Sequence, residues 1–285
     1  MLYEKMGYRK LLLPFGQIEE YTDVCYTAYG IPPQSDDLRR ENQMRTKKQL
    51  LVFFLIFVGV AAPLMLLFCG VLHINNPDQE KYPIAGVDVS SYQGTIDWKA
   101  LASQNISFAF IKATEGSSTI DACFERNWAE VSKTDLRIGA YHFFSFESPG
   151  ETQADLFCST VTPIDDMLPP VIDVEYYGEY KTEKDIDVSD VKAQLRVFID
   201  RMTAVYGMKP ILYASKETYD TIIKEDFSDC DLWMRSVYSG VRSDIDWTFW
   251  QYSNRHVLQG YSGKERFIDM NVFCGGVEEF AVYPN

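Results

Sequence analysis

The stretch PPVIDVEYYG, residues 169–178, contains an apolar run that ends in two carboxylates. Its Val and Ile residues have the composition of a buried strand, while Asp173 and Glu175 are separated by a single residue. Side chains two positions apart on a strand point to the same face, with their Cα atoms roughly 6.5–7 Å apart. Burying a carboxylate is unfavourable unless it is paired or hydrogen-bonded. The stretch predicts a core strand that ends in two functional acids, with a solvated strand end as the alternative.

The chain on either side of this stretch alternates short apolar runs with amphipathic segments. Helical patterns lie near 97–104, 123–134, 151–161 and 188–206. Alternation of strands and helices implies parallel strands joined by helical crossovers. We therefore expect an α/β fold, an irregular TIM-like β/α barrel of eight strands. The predicted strands are residues 84–90, 107–114, 137–144, 169–175, 209–214, 230–235, 247–252 and 266–273.

Four acids are expected to meet at the mouth of this barrel. Asp88 lies near the end of the first predicted strand, and Asp173 and Glu175 close the fourth. Asp269 lies within the eighth strand, next to the first in a closed barrel. Functional residues of such barrels gather at the C-terminal ends of the strands. If Asp173 stays ionised, its charge should raise the pKa of Glu175. A protonated acid beside an ionised partner is the arrangement that cleavage of a glycosidic bond requires.

Residues 50–72 are apolar throughout and contain no charged side chain. At about 1.5 Å per residue, they are long enough to cross a bilayer as a single helix. Positive charge precedes them, so the positive-inside rule predicts a cytoplasmic N-terminus and an extracytoplasmic C-terminal part at the cell membrane. The alternatives are a signal peptide that begins at Met44 and a lipoprotein attached at Cys69. The basic residues are Arg39, Arg40, Arg45, Lys47 and Lys48.

The remaining organisation follows from composition. Residues 1–49 read as a cytoplasmic tail, unstructured or partner-binding, and residues 73–83 as a short tether before one domain at 84–285. The net charge of -14 argues against a nucleic-acid partner, because phosphate binding needs basic surfaces. None of the six cysteines has zinc-ligand spacing, and the four beyond the tether are either paired in disulfides or free thiols.

Six motifs in order carry a resemblance to a known family. They are GVDVSSYQGTIDW (86–98), FAFIKATEG (108–116), GAYHFF (139–144), PPVIDVE (169–175), WTFWQYS (247–253) and IDMNVF (268–273). Together they resemble glycoside hydrolase family 25, the Chalaropsis-type lysozymes or N-acetylmuramidases. The resemblance implies a barrel of eight strands and about five helices. It also implies hydrolysis of the β-1,4 bond between N-acetylmuramic acid and N-acetylglucosamine in peptidoglycan, without a metal or another cofactor.

The resemblance also implies roles for the acids. Glu175 matches the general acid, and Asp173 matches the residue that assists the 2-acetamido group of the substrate. Asp88 and Asp269 match two further acids of the family's site. Whether all members retain the anomeric configuration is left open. One departure is LWMRSVYSG, in which Arg235 stands where the family often has a small residue, which puts the preference of the substrate subsites in doubt.

Three aromatic residues at predicted strand ends, Tyr141, Tyr213 and Trp250, are candidates for stacking on sugar rings or bonding to them. Core packing is the alternative for each, because large aromatic side chains usually fill cores.

The sequence thus predicts a membrane-anchored muramidase whose partners are peptidoglycan glycan strands and, through the N-terminal helix, the membrane. A non-catalytic peptidoglycan-binding barrel and a hydrolase of another N-acetylhexosamine polymer, such as chitin, are the alternatives. The oligomeric state and the biological role are open.

Overall fold

The structure is a computed structural model that describes residues 36–284. The chain divides into two compact units, Met1–Pro63 and Leu64–Asn285. The expectations for residues 1–35, including their place in a cytoplasmic tail, lie outside the described residues.

Helix α1 spans Asp36–Phe68 and is long and apolar enough to cross a membrane. It begins before the predicted start of the span at residue 50, and it ends at Phe68, after which Gly70 adopts a left-handed conformation with φ of 67°. Its turn at Phe57–Ala61 is a π-helix. Pro63 follows this turn and has no amide hydrogen for the helical ladder, which accounts for the local widening. None of the apolar window of α1 is buried.

The second unit contains a closed barrel, and all eight predicted strands are present. A ninth strand, β3, is a two-residue addition paired with β2. Strand β1 pairs with both β2 and β9, which closes the sheet. The strands are β1 (Ala85–Val89), β2 (Phe108–Glu115), β3 (Thr119–Ile120), β4 (Arg137–Phe143), β5 (Val171–Val174), β6 (Ile211–Ser215), β7 (Leu232–Arg235), β8 (Phe249–His256) and β9 (Ile268–Phe273).

The direction of β9 corrects the expectation of a parallel barrel. Strands β1, β2 and β4 to β8 run parallel to their barrel neighbours, but β9 is antiparallel to both β8 and β1. A parallel connection needs a crossover, usually a helix, whereas an antiparallel return does not. Residues 257–267, between β8 and β9, contain no helix. The return is therefore a short loop, and β9 enters the barrel from the end at which β8 leaves it.

Four helices of the second unit lie where the sequence predicts them, and two short ones, at Lys216–Thr218 and Val277–Val282, were not predicted. The longest, α5, begins after Asp187, whose side chain accepts hydrogen bonds from the amides of Ser189 and Asp190. It ends at Gly207, where φ is 71°. The helices are α2 (Trp98–Ala102), α3 (Phe124–Val131), α4 (Gly150–Thr160), α5 (Val188–Tyr206), α6 (Lys216–Thr218) and α7 (Val277–Val282).

Two separate apolar cores hold the barrel together. One lies between the sheet and its helices, where α5 buries Leu195 and Phe198. The other fills the barrel interior, where the rings of Phe110 and Trp233 stack at 4.6 Å. Gly139 makes room for the first of these rings, since a Cβ atom there would lie 2.6 Å from it. The interior is a packed core, so any cleft must open at one end of the barrel.

The end formed by the N-terminal ends of the parallel strands is closed by the C-terminal helix α7. Phe280 of this helix packs against Phe108 of β2 and Phe273 of β9, with ring centroids 5.7 and 5.2 Å apart. Arg137 donates from its two terminal nitrogens to the carbonyl oxygens of Phe280 and Tyr283. These bonds hold the end of α7 and the residue after it against the start of β4.

The five described cysteines are free thiols, so residues 36–284 contain no disulfide. They are Cys69, Cys123, Cys158, Cys230 and Cys274. The four beyond the tether therefore follow the free-thiol alternative, and Cys25 lies outside the described residues.

Candidate active site

A cleft of about 450 Å³ opens at the other end of the barrel, where the parallel strands terminate. It contains all four of the predicted acids and two of the three predicted aromatic residues. These six side chains are Asp88, Asp173, Glu175, Asp269, Tyr141 and Tyr213.

The acids converge because of strand direction. Asp88 and Asp173 lie near the C-terminal ends of β1 and β5, and Glu175 follows β5 directly. Asp269 lies near the N-terminal end of β9, yet it reaches the same mouth because this strand runs the other way. The register pairs Asp88 directly with Asp269 across the antiparallel ladder.

Asp88 and Asp269 form an acid pair, in which Asp88 is buried and Asp269 is half-buried. Asp88 Oδ1 accepts hydrogen bonds from Asn271 Nδ2 at 2.8 Å and from Gln251 Nε2 at 3.0 Å. Burial raises the pKa of Asp88, and these donors oppose the rise. Burial, followed by the charge on Asp88, raises the pKa of Asp269 well above its usual range. Asp269 is therefore the member of the pair that holds a proton, which it shares with Asp88 in a hydrogen bond.

Asp173 and Glu175 differ in their surroundings. Asp173 is 8% exposed, and its Oδ1 has no hydrogen-bond partner among the described residues. Burial and then the charge of Glu175 raise the pKa of Asp173 well above its usual range. The Glu175 side chain is 26% exposed, and its Oε1 lies 3.7 Å from Arg235 Nε. Burial raises the pKa of Glu175, and the Arg235 guanidinium opposes the rise.

The expected rise in the pKa of Glu175 is thus found, but its expected cause is not. Burial produces it, rather than the charge of Asp173. Because Arg235 faces Glu175 and no donor reaches Asp173 Oδ1, Asp173 is the more strongly shifted of the two.

The two tyrosines in the cleft are hydroxyl donors. Tyr213 donates to Gln251 Oε1 at 2.9 Å, and its ring packs edge-on against Trp233. Burial and the negative charge of the surrounding acids raise the pKa of Tyr141 and Tyr213 well above their usual range. Both phenols therefore keep their protons at neutral pH; the Tyr141 hydroxyl can donate to an oxygen of a ligand, and the Tyr213 hydroxyl, which donates to Gln251, can accept from one.

Trp250 does not line the cleft, and the prediction that it does is wrong. Side chains alternate along β8, and Gln251 is the residue that points into the barrel mouth. Trp250 points to the other face of the sheet, where it packs against Trp247 and Tyr252 in the outer core. Its Nε1 donates to the carbonyl oxygen of Ser236 at 3.0 Å. It is a core residue, the alternative considered for it.

Several cleft residues were not predicted as site residues. Asn271 lies two positions after Asp269 on β9, so strand alternation alone indicates that it shares the acid's face. Gln251 follows the same rule relative to Phe249, which lies inside the barrel. Arg235 departs from the family's motif, but nothing in the sequence indicates its contact with Glu175. Tyr92, 66% exposed at the rim, lies in a 3₁₀ turn, Ser91–Gln93, whose position depends on the completed fold.

Comparison with known proteins agrees with this geometry. Residues 87–261 match the family model for glycosyl hydrolases family 25. The structure of a family 25 glycosyl hydrolase from Bacillus anthracis is 50% identical, with a TM-score of 0.69, and the match covers 75% of this chain and 99% of that one. A bacterial lysozyme from Streptomyces coelicolor is 30% identical, with a TM-score of 0.61, over 68% of this chain and 94% of that one. Lysozyme M1 from Streptomyces globisporus is 29% identical over 71% of each chain.

Proposed function

This chain belongs to family 25 of the glycosyl hydrolases, and we propose that it is a membrane-anchored muramidase. It is a glycoside hydrolase of the lysozyme type, related to the lysozymes of two Streptomyces species. Its substrate in this proposal is peptidoglycan, and the bond cleaved is the β-1,4 bond between N-acetylmuramic acid and N-acetylglucosamine. The observation that carries the proposal is the convergence of four carboxylates on one cleft.

Glu175 is the general acid of the proposed reaction. Its side chain is 26% exposed, so it is more accessible than the buried Asp88 and Asp173. Once protonated, it gives its proton to the glycosidic oxygen as the bond to the anomeric carbon breaks. The leaving sugar then departs as an alcohol, and Glu175 is left as a carboxylate.

Asp173 assists the substrate's own 2-acetamido group. Its Oδ1 lacks a donor among the described residues, so it offers an acceptor for the acetamido N–H. The acetamido oxygen attacks the anomeric carbon, and the resulting cyclic cation is stabilised by the negative charge of Asp173. Water then opens this ring while Glu175 takes up the water proton. Reactions of this kind are a known exception to the scheme with two enzymic carboxylates.

The acid pair and the tyrosines complete the site. Asp88, held by Asn271 and Gln251, and Asp269, hydrogen-bonded to Asp88, supply carboxyl oxygens as acceptors for sugar hydroxyl groups. The Tyr141 and Tyr213 hydroxyls lie in the same cleft. Their role is to orient the sugar so that the acetamido oxygen meets the anomeric carbon.

The anchor in this proposal is α1. Its apolar length supports a membrane span, and the basic residues before residue 50 support a cytoplasmic N-terminus with the barrel outside the cell membrane. An anchored hydrolase acts on the glycan strands nearest its own membrane. Fractionation of cells that produce the full chain tests this part: we expect the protein in the membrane pellet, resistant to high salt and released by detergent.

Digestion of purified peptidoglycan by the detergent-solubilised full chain tests the chemistry. We expect new reducing ends, and borohydride reduction followed by mass spectrometry should place muramitol at the new ends. Glu175→Gln should lower the rate by about 10²–10⁴-fold, because it cannot supply a proton. Glu130→Gln, the same change on the surface of α3, is the matched control and should behave as wild type.

The outcomes separate the alternatives. Tight binding without new reducing ends would identify a binding barrel rather than an enzyme. Glucosaminitol in place of muramitol at the reduced new ends, or turnover of chitin alone, would identify a hydrolase of a different bond. Equal rates for wild type and Glu175→Gln would remove Glu175 from the mechanism.

A further inference from the structure

Arg235, the last residue of β7, enters the cleft with unused hydrogen-bonding capacity. Its side chain is 34% exposed and lies among the residues that line the cavity. Among residues 36–284, Glu175 is the only carboxylate within 4 Å of its guanidinium group, and this contact, 3.7 Å from Nε, is long for a hydrogen bond. The two terminal nitrogens of Arg235 donate no hydrogen bond to any described residue.

Other arginines of the barrel are held differently. Arg242 forms a fork with Asp220, at 2.7 and 2.9 Å, and also bonds to Asp244. Arg137 donates to two backbone carbonyls and pairs with Asp166. A guanidinium group has five N–H donors arranged to grip a carboxylate with two of them. In Arg235, these paired N–H donors are therefore available to a ligand in the cleft.

The other two cations that line the cleft are already engaged. Lys112 Nζ lies 2.6 Å from Glu115 Oε2. Arg255 Nη1 donates to the carbonyl oxygen of Phe68 at 2.7 Å, and its guanidinium lies over the Phe68 ring. Arg235, by contrast, has only its long contact with Glu175, the proposed general acid. A ligand can therefore replace Glu175 as the partner of this guanidinium group.

The reaction needs such a replacement. Glu175 must carry a proton to act as general acid, and a neighbouring cation favours its charged form. A second carboxylate brought to Arg235 by the substrate would compete for the guanidinium and relieve this effect. Muramoyl residues carry a lactyl carboxyl group, and stem peptides carry further carboxyl groups, whereas chitin carries none.

We propose that Arg235 binds a carboxylate on the glycan and exchanges its ion pair with Glu175 for one with the substrate. This inference rests on the proposed function and refines it. Arg235 acts as a specificity-determining and positioning residue: the substrate that bears a carboxylate both binds more tightly and releases Glu175 to take a proton from solvent. A glycan without a carboxylate leaves the pair intact and reacts slowly.

The test uses the full chain in detergent and three glycans. The first is peptidoglycan stripped of its stem peptides, with free lactyl carboxylates. The second is the same material after coupling of those carboxylates to methylamine, which keeps the sugars and removes the charge. The third is intact peptidoglycan, in which the lactyl group is an amide and the carboxylates lie on the peptide. The variants are Arg235→Gln, Arg235→Lys and, as a surface control, Arg201→Gln.

For wild type we expect kcat/KM to favour a carboxylate-bearing glycan over the methylamide by about tenfold or more, as one desolvated ion pair allows. A preference for the first glycan identifies the lactyl group as the source, and a preference for the third identifies the peptide. Arg235→Gln should reduce the preference to within about twofold, Arg235→Lys should keep part of it, and Arg201→Gln all of it.

A pH profile on the methylamide excludes a purely structural role. Removal of the cation raises the pKa of Glu175, so the falling alkaline limb of kcat/KM should move to higher pH by about one unit in Arg235→Gln. Thermal melts check that the variants fold. An unchanged preference in folded Arg235→Gln, or in Arg235→Lys if the former does not fold, overturns the inference. Failure of wild type to cleave any of the three glycans would instead overturn the proposed function.

Discussion

The two ends of the barrel are built from the same eight strands and have opposite characters. At the mouth, the pKa values of buried Asp173 and half-buried Asp269 are raised, and Asp173 Oδ1 has no partner among the described residues. At the closed end, Phe280 completes an aromatic cluster, and the Tyr283 hydroxyl donates to Asp231 at 2.6 Å. The mouth holds groups in states that folding disfavours, whereas the closed end supplies packing that folding favours.

This difference indicates that the mouth serves activity and the closed end serves stability. The inner rings between the two ends keep the strands at fixed positions, so acids attached to those strands cannot relax away from one another. Substitutions at the mouth should therefore change activity more than stability, and substitutions at the closed end should do the reverse.

The largest effect is expected at the mouth, from Asp173→Asn. The amide keeps the shape of the side chain but cannot stabilise the cyclic cation, so kcat should fall by about 10²–10⁴-fold. The thermal midpoint at neutral pH should stay the same or rise, because an ionisable group whose charged form is disfavoured by burial is replaced by a neutral one. A lower midpoint together with lost activity would mean that Asp173 is structural. Asp200→Asn, on the exposed face of α5, is the matched control.

The closed end is tested with Phe280→Ala. Phe280 is 6% exposed and packs against several rings, so its truncation should lower the free energy of unfolding by about 3–5 kcal/mol. Urea denaturation measures this loss, and kcat/KM below the transition should remain within about twofold of wild type. Val277→Ala, on the exposed side of the same helix, should be nearly neutral. Lost activity without lost stability would contradict the division between the ends.

The smallest effect concerns the pH dependence of stability. Asp269 has its pKa raised well above 3.8 in the folded state, so above about pH 4 the folded protein binds more protons than the unfolded chain. Its contribution to stability is complete below that pH and is lost as pH rises through the folded pKa. Asp269→Asn removes this loss and keeps a donor for Asp88.

The measured quantity is the difference in free energy of unfolding between Asp269→Asn and wild type. We expect it to move in favour of the variant as pH rises from about 4, by at most about 1.4 kcal/mol per pH unit. Comparison of the two proteins cancels the opposite contribution of His142, whose pKa is lowered to about 3 by burial and which is common to both. A difference that is constant with pH would show that Asp269 ionises equally in both states.

The sequence predicted the barrel because each strand is a distinct apolar run. It predicted the positions of the four acids along those runs for the same reason, since strand ends follow from where the apolar residues stop. What it did not predict was the direction of β9. A parallel and an antiparallel last strand contain the same apolar residues, and only the short return between β8 and β9 separates them.

The error at Trp250 has a related cause. Both faces of β8 are buried, one in the barrel and one beneath the outer residues, so Phe249 and Trp250 are equally apolar and composition does not assign a face. Arg235 illustrates a further limit. Its contact with Glu175 joins the ends of two strands that are not neighbours in the barrel, and such contacts depend on the width of the finished mouth.

The position of β9 also has a consequence for biosynthesis. The hydrogen bond between Asn271 and Asp88 joins residues 183 positions apart, and Asp269 comes from the same late strand. A ribosome must therefore have passed residue 271 before the cleft can assemble. The site needs a strand that is synthesised after the other eight, and a product truncated before β9 would be inert. For an enzyme that degrades a structural polymer, such an order keeps every unfinished copy harmless.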